Sequence, residues 1–503
     1  MTTPTDTVDK GSAFNVDLTR EPDKYDGCFD GVVLPPPGSE ERVKLEKKLK
    51  RKLDSTILPV VVIMYILNYL DRNNIAAAKL GTMVQDLQLT STQYSTCVSI
   101  LFVSYICMQI PSNLMLAKIG HPNIYLPSIM LLWGVMSCLV AVVHSYGPLV
   151  VLRLVIGALE AGFYPGVIFY LSCWYTRLEL AKRSAIFILG SYLSGAFSGL
   201  ISYGVMQNLE GVHGLAAWRW LFIIEGVATF GFSLVAIPVL PSLPASTRWL
   251  SREERLLGVV RLLEDIKVTE EHAGAGAGGE LEKNVDKKIT TADRHTKRDR
   301  VINFFQIMFC IAGTASINTV FPTIVESLGY DRPRTLLLTA PPWLLCALTS
   351  FLNSLHSDRA GERYWHMVWG PVFSSIGFAI GLATDKVAPR YVAIMILLQI
   401  YNSWAVGYAW ITNTINQPPM KRAAAIALIN IGFNVPNIFM PYLFSSNASP
   451  RFYAGFSVCL VFAFSSVIGS TILRAQLVRL NKKLGNGEVV DGMDGRTGFR
   501  FLY

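Results

Sequence analysis

The tightest constraint on this chain is a succession of apolar runs between Thr56 and Leu473. Each is close to the ~20 residues that an α-helix needs to cross a bilayer. About twelve are counted, at 56–78, 93–115, 124–143, 148–174, 184–206, 217–239, 302–325, 336–354, 364–383, 390–414, 422–444 and 453–474. A soluble chain hides its apolar residues in several cores and does not string them into runs of this length. The 503 residues are 51% hydrophobic and 16% charged, with a mean hydropathy of +0.38. The expected class is an all-α polytopic membrane protein with twelve transmembrane helices in two six-helix halves.

The organisation follows from what lies between the runs. Residues 1–55 are polar, carry a PPP at Pro35–Pro37, and lack the apolar core of a secretory signal. They are expected to be a disordered cytosolic arm. The first six-helix bundle occupies 56–239 and the second 302–474, with a cytosolic tail at 475–503. The linker at 240–301 contains GAGAGG and dense mixed charge, with a helical stretch near SREERLLGVVRLLEDIK. The formal net charge is +9. The basic residues cluster beside alternate apolar runs, as in ERVKLEKKLKRK, TRLELAKR, SDRAGER and RAQLVRLNKK. Positive-inside placement explains this better than nucleic-acid binding and puts both termini in the cytosol. The eight cysteines are scattered, with no CxxC pair and no metal spacing. Asn447 begins an N-A-S sequon in the last outer loop.

An ionisable side chain inside a membrane helix costs at least ~2.5–3.5 kcal/mol near the centre and marks a bundle interior or a cavity. Five stand out: Asp71, Arg72, Arg153, Glu160 and Glu225. Arg153 and Glu160 are seven residues apart, two helical turns, and share a face with Gly157, a point of close helix approach. Such a face suits a proton relay, and a structural ion-pair network would use the same residues. Asp71 and Arg72 are adjacent and point about 100° apart, so they divide their work. Arg72 shares a face with Asn68. Glu225 follows the interfacial Trp218, Arg219 and Trp220 and is the weaker candidate. The second half offers amides and rings: Asn318, Tyr401, Asn402, Trp410, Asn413, Asn430, Asn434 and Asn437. The stretch GSYLSGAFSG at 190–199 reads as a close-packing surface. No nucleotide loop and no reactive Ser/His/Asp set is present, so no cofactor, no metal and no enzymatic activity are expected.

Several stretches, taken in order, resemble a known family. They are LDRNN, RLVIGALEAGFYPG, WRWLFIIEG, SDRAGER and NQPPMKRAAAIALINIGFN. They are similar to the anion:cation symporter branch of the major facilitator superfamily, nearest to fungal allantoate and nicotinate permease-like transporters. SDRAGER resembles the DRxGxR gating motif, carried by Asp358, Arg359, Gly361 and Arg363. The equivalent first-half loop, LAKIGHPN, lacks the Asp. Leu149, Arg153 and Gly157 resemble the fourth-segment LxxxRxxxG motif. The fifth segment lacks the GP signature of drug–proton antiporters.

The resemblance implies the major facilitator fold and a proton-coupled carrier of a small organic anion, a carboxylate such as a vitamin, nicotinate-like or ureide compound. It implies that Asp71 and Glu160 carry protons and that Arg72 and Arg153 hold the substrate carboxylate. Asn68, Tyr401, Trp410, Asn413 and Asn434 complete the expected substrate contacts. The expected partners are the anion, protons and the lipid bilayer, with a monomer in the plasma membrane. Efflux of a fungal secondary metabolite is the rival reading. Nutrient sensing is a third, which the tail of about thirty residues disfavours.

Overall fold

The computed structural model describes residues 34–247, 249–274, 291–414, 428–444, 451–486, 489–490, 493–494 and 501–503. Among them, 11 helices are long and apolar enough to cross a membrane. The first half contains α1 (Glu40–Leu80), α2 (Ser91–Ile119), α3 (Pro122–Val140), α4 (Tyr146–Ser172), α5 (Lys182–Asn208) and α6 (Ala217–Val239). The linker contributes α7 (Arg252–Gly274). The second half contains α8 (Arg298–Glu326), α9 (Arg332–Ala360), α10 (Tyr364–Ala383), α11 (Val387–Ile411) and α13 (Tyr453–Gly485). The remaining expected segment is helical over the described residues 428–434 and in α12 (Pro436–Leu443), with a turn at Val435 between them. Its residues 422–427, and Asn447, lie outside the described residues. The only β structure among the described residues pairs Val489–Val490 with Met493–Asp494.

Local chemistry sets where the helices begin and end. Thr90 and Gln93 form a reciprocal capping box at the start of α2, and Gly120, at φ +79°, ends that helix. Large apolar side chains such as Leu114, Val151, Leu348, Val461 and Ile468 face outward, as lipid-facing residues do. Lipid is as apolar as leucine, so helix contact depends on close backbone approach rather than on hydrophobic burial. A Cβ on Gly226 would sit 2.8 Å from the Cys138 backbone nitrogen and 2.9 Å from the Gly134 carbonyl oxygen. Thus α3 and α6 touch backbone to backbone.

The end of the bundle that carries the linker is termed here the linker face, and the opposite end the distal face. The chain was expected to stay disordered to residue 55, but α1 begins at Glu40. Ser39 accepts the Arg42 amide at 3.2 Å, and Glu40 and Glu41 sit where the helix dipole favours them. At 1.5 Å per residue the 41 residues of α1 run about 60 Å, roughly twice the hydrocarbon thickness. The charged first turns therefore project from the linker face.

That projection holds α7 against the first half. Arg42 pairs with Glu264 at 2.8 Å, and Lys52 with Glu254 at 2.6 Å. Glu179, just before α5, receives Lys50 at 2.9 Å and Arg261 at 3.2 Å. Burial pushes both the Glu179 and Glu254 carboxyls up. Their basic partners outweigh it, Arg261 and Lys50 for Glu179 and Lys52 for Glu254, and hold each below the usual carboxylate range. A depressed folded-state value gives stability above the unfolded value, lost as pH falls through the folded one. The clamp should therefore be intact at neutral pH and release below about pH 4. Hydrogen exchange of α7 amides should accelerate there while α1 amides near Ile57 stay protected. Uniform protection of both at acidic pH would refute the clamp.

Candidate functional site

The halves meet around a cavity at mid-depth, displaced toward the distal face. It is lined from the first half by Tyr69, Arg72, Asn73, Phe102 and Arg153, and from the second by Ser316, Asn318, Tyr401, Trp404, Phe433, Asn434 and Asn437. It encloses about 690 Å³ of empty space, open solvent at its mouth included. Its first-half wall carries both cavity arginines, and its second-half wall is amide and aromatic.

Arg72 is the centre of this wall. Its Nε donates to Glu160 Oε2 at 2.5 Å, joining α1 to α4. Its guanidinium lies over the Tyr105 ring at 4.7 Å and near Tyr69 at 5.4 Å. The flat cation is held against two rings and by a carboxylate at one edge, with another part at the cavity. Glu160 is 0% exposed, and its second oxygen, Oε1, has no hydrogen-bond partner. Arg153 reaches the same cavity and donates its Nε to the Cys97 carbonyl at 3.3 Å. Gly157 makes this possible: a Cβ there would stand 2.2 Å from the Leu101 carbonyl oxygen of α2.

The opposite wall is tied down. Tyr401 donates its hydroxyl to the Ala315 carbonyl at 2.6 Å and accepts the Tyr192 hydroxyl on its own carbonyl at 3.0 Å. Trp404 stacks on Phe433 with centroids 4.8 Å apart and planes at 20°. Asn434 turns its amide back to the Asn430 carbonyl at 2.8 Å, and Asn430 accepts from the Tyr408 hydroxyl at 3.0 Å. Above the cavity the halves are joined. Asn318 donates to Asn73 at 3.2 Å, Ser95 to the Pro441 carbonyl at 3.3 Å, and Thr96 meets the Tyr442 hydroxyl at 3.0 Å. The distal side is thus closed.

Several expected site residues lie elsewhere. Asp71 is off the cavity wall, buried between α1, α3 and α6. It accepts from the Trp133 indole at 3.1 Å, Ser137 at 3.0 Å and Thr229 at 3.1 Å. Its 100° offset from Arg72 turns it into the helix packing. Asn68 is buried beside Glu160 rather than on the wall. Trp410 corrects the expected contact set: it is fully buried against Phe304, and its indole donates to the Leu502 carbonyl at 2.9 Å, toward the linker face. The Asn413 side chain lies outside the described residues.

The expected gating motif forms a compact turn. Arg363 donates to Asp358 at 2.8 Å and to Ser357 at 2.9 Å, and Gly361, at φ +65°, ends α9. Residues 501–503 strap over it. Asn481 of α13 clamps Phe501 by two hydrogen bonds of 2.9 Å, and the Arg363 amide reaches the Tyr503 oxygen at 3.4 Å. Sequence reasoning missed this strap, which has no local signature. It also missed Tyr105 and Trp404. Tyr69 precedes Arg72 by three residues and was legible as a same-face ring.

The sequence profile of the Major Facilitator Superfamily matches residues 61–441. The MFS-type transporter cnsO of Penicillium expansum is 32% identical over 470 residues, covering 88% of this chain and 86% of that protein. A putative tartrate transporter of Agrobacterium vitis is 30% identical over 442 residues, covering 87% of this chain and 93% of its own. Among solved structures, a D-xylose–proton symporter superposes with a TM-score of 0.62 at 13% identity, over 83% of this chain and 96% of that one. That likeness concerns the fold alone. A two-half helical bundle around a central cavity, with a profile running from α1 into α12, places this multi-pass membrane protein among transporters: the chain belongs to the Major Facilitator Superfamily.

Proposed function

We propose that this protein carries a small organic anion together with protons, by alternating access of the central cavity to the two sides of the membrane. The observation that carries the reading is the shared guanidinium. Arg72 lines the cavity and pairs with buried Glu160, whose Oε1 has no partner. A substrate carboxylate that takes Arg72 weakens the pair, and a buried carboxylate without its cation is costly. A proton on Glu160 relieves that cost. Anion and proton then favour each other's binding, and the coupling is reciprocal. Arg153 supplies a second cation for the anion. Tyr401, Trp404, Phe433 and Asn434 offer rings and an amide to an uncharged or aromatic body.

The motifs support placing the chain in the anion:cation symporter branch, near the allantoate and nicotinate permease-like group. The tartrate name of a relative supports a carboxylate substrate. Basic residues on the linker face support a cytosolic linker and cytosolic termini, in the plasma membrane. Purified protein in liposomes, given labelled L-tartrate, nicotinate and allantoate under an imposed pH gradient, tests the reading. At least one acid should accumulate above equilibrium in the wild type. Glu160→Gln should abolish that accumulation and keep exchange of internal for external acid. Full gradient-driven accumulation by Glu160→Gln would overturn the assignment.

A further inference from the structure

One buried acid plays no part in the reading above. Glu225 of α6 is 2% exposed, and neither of its oxygens has a hydrogen-bond partner. Asn74 of α1 is 0% exposed, and neither its Oδ1 nor its Nδ2 has one. The two face each other because of helix register. Thr229 bonds Asp71, and α1 and α6 run in opposite directions through the bundle. One turn beyond Asp71 toward the distal face comes Asn74, and one turn beyond Thr229 in the same direction comes Glu225. The polar neighbours of Glu225 are Asp71 and Asn74 from α1. Cys138 of α3 stands beside the next residue, Gly226. On the distal side Trp218, Leu221 and Phe222 of the same helix, all buried, cover the group.

We propose that Asp71 and Glu225 form a second proton-binding site, apart from the substrate cavity, with the proton on Glu225. Asp71 accepts three donors, each of which favours its charged form. Glu225 faces only the Asn74 amide, with no cation to offset a charge of its own. Two adjacent carboxylates away from water do not both stay ionised. As an acid, Glu225 turns its O–H toward Asn74 Oδ1 while Asn74 Nδ2 donates to its carbonyl oxygen, and four orphaned buried atoms are satisfied at once. As a carboxylate it leaves Asn74 Oδ1 without a donor. Release breaks the O–H bond on Glu225, and the proton passes to Asp71 or to water admitted when the distal side opens.

The site rests on the proton-coupled reading only for its part in transport, so two measurements separate them. The first is infrared difference spectroscopy of purified protein across a pH series, with protons as the probe. A protonated-carboxyl C=O band should persist at neutral pH, vanish in Glu225→Gln and remain in Glu160→Gln. In Asn74→Leu it should survive at higher frequency, because a hydrogen-bond partner is gone. A band retained in Glu225→Gln, or erased by sodium at fixed pH, would overturn the site. The second is the ratio of protons to acid moved in liposomes, which should fall by one in Glu225→Gln with exchange preserved. An unchanged ratio would overturn its role in the cycle. A wild type that moves no protons would sink the coupled reading, while the band would still decide the site.

Discussion

Arg72→Ala should yield a protein that is both destabilised and unable to bind its anion, and the two losses should separate in a double mutant. Removing one partner of a buried ion pair leaves the other charge uncompensated, at a cost of about 3–5 kcal/mol. Glu160 is that partner, held at 2.5 Å and 0% exposed. The single variant should lose several degrees of melting temperature in detergent and should bind no labelled acid. Arg72→Ala combined with Glu160→Gln should recover most of the stability, because no buried charge remains, and should still bind nothing. Arg72→Lys should keep the charge yet lose the planar fork and the stacking on Tyr105, with weaker binding as the result. Normal binding by the alanine double mutant would show that the anion rests on Arg153 alone.

Gly199→Val should drive the protein out of the state described here. Gly199 of α5 packs against α9 across the halves. A Cβ there would stand 2.2 Å from Thr339 Oγ1 and 2.7 Å from the Leu336 carbonyl oxygen. Backbone cannot yield as a flexible side chain can, and overpacking costs about 1–3 kcal/mol. The cost falls only on the distally closed state, so the balance of states shifts by about 5–150-fold. A single cysteine at Phe102, in the cavity wall, should then react faster with an impermeant maleimide added at the distal side. The background would carry no other cysteine. Equal rates in wild type and Gly199→Val would show that the contact does not hold the distal side shut.

The charges were readable in the sequence because membrane burial makes each one expensive, so Arg72, Arg153 and Glu160 announced an interior site. Their partnership was not. Arg72 and Glu160 are 88 positions apart, and no spacing rule links α1 to α4. Trp410 shows the opposite failure. It lies nine residues after Tyr401, and nine steps of about 100° bring it to the far side of the helix, so both could not face one cavity. Asp71 followed the same geometry. The glycine run at 190–199 was legible as a packing surface, but its partner, α9, was not. The strap was invisible because its grip comes from Asn481 of α13, Trp410 of α11 and Arg363 in the turn between α9 and α10, three places far apart in the chain.

The two braces on the linker face have one further use. The α7 clamp touches the first half, and the strap of residues 501–503 touches the second. Each rides on its own half. Exposed positions on them, such as Glu253 in α7 and Lys482 beside the strap, are far from the cavity in sequence and function. A pair of spin labels there forms a ruler whose two ends are fixed to opposite jaws. Its length would track the opening and closing of the linker face under any acid, pH or lipid, without a probe ever entering the transport path.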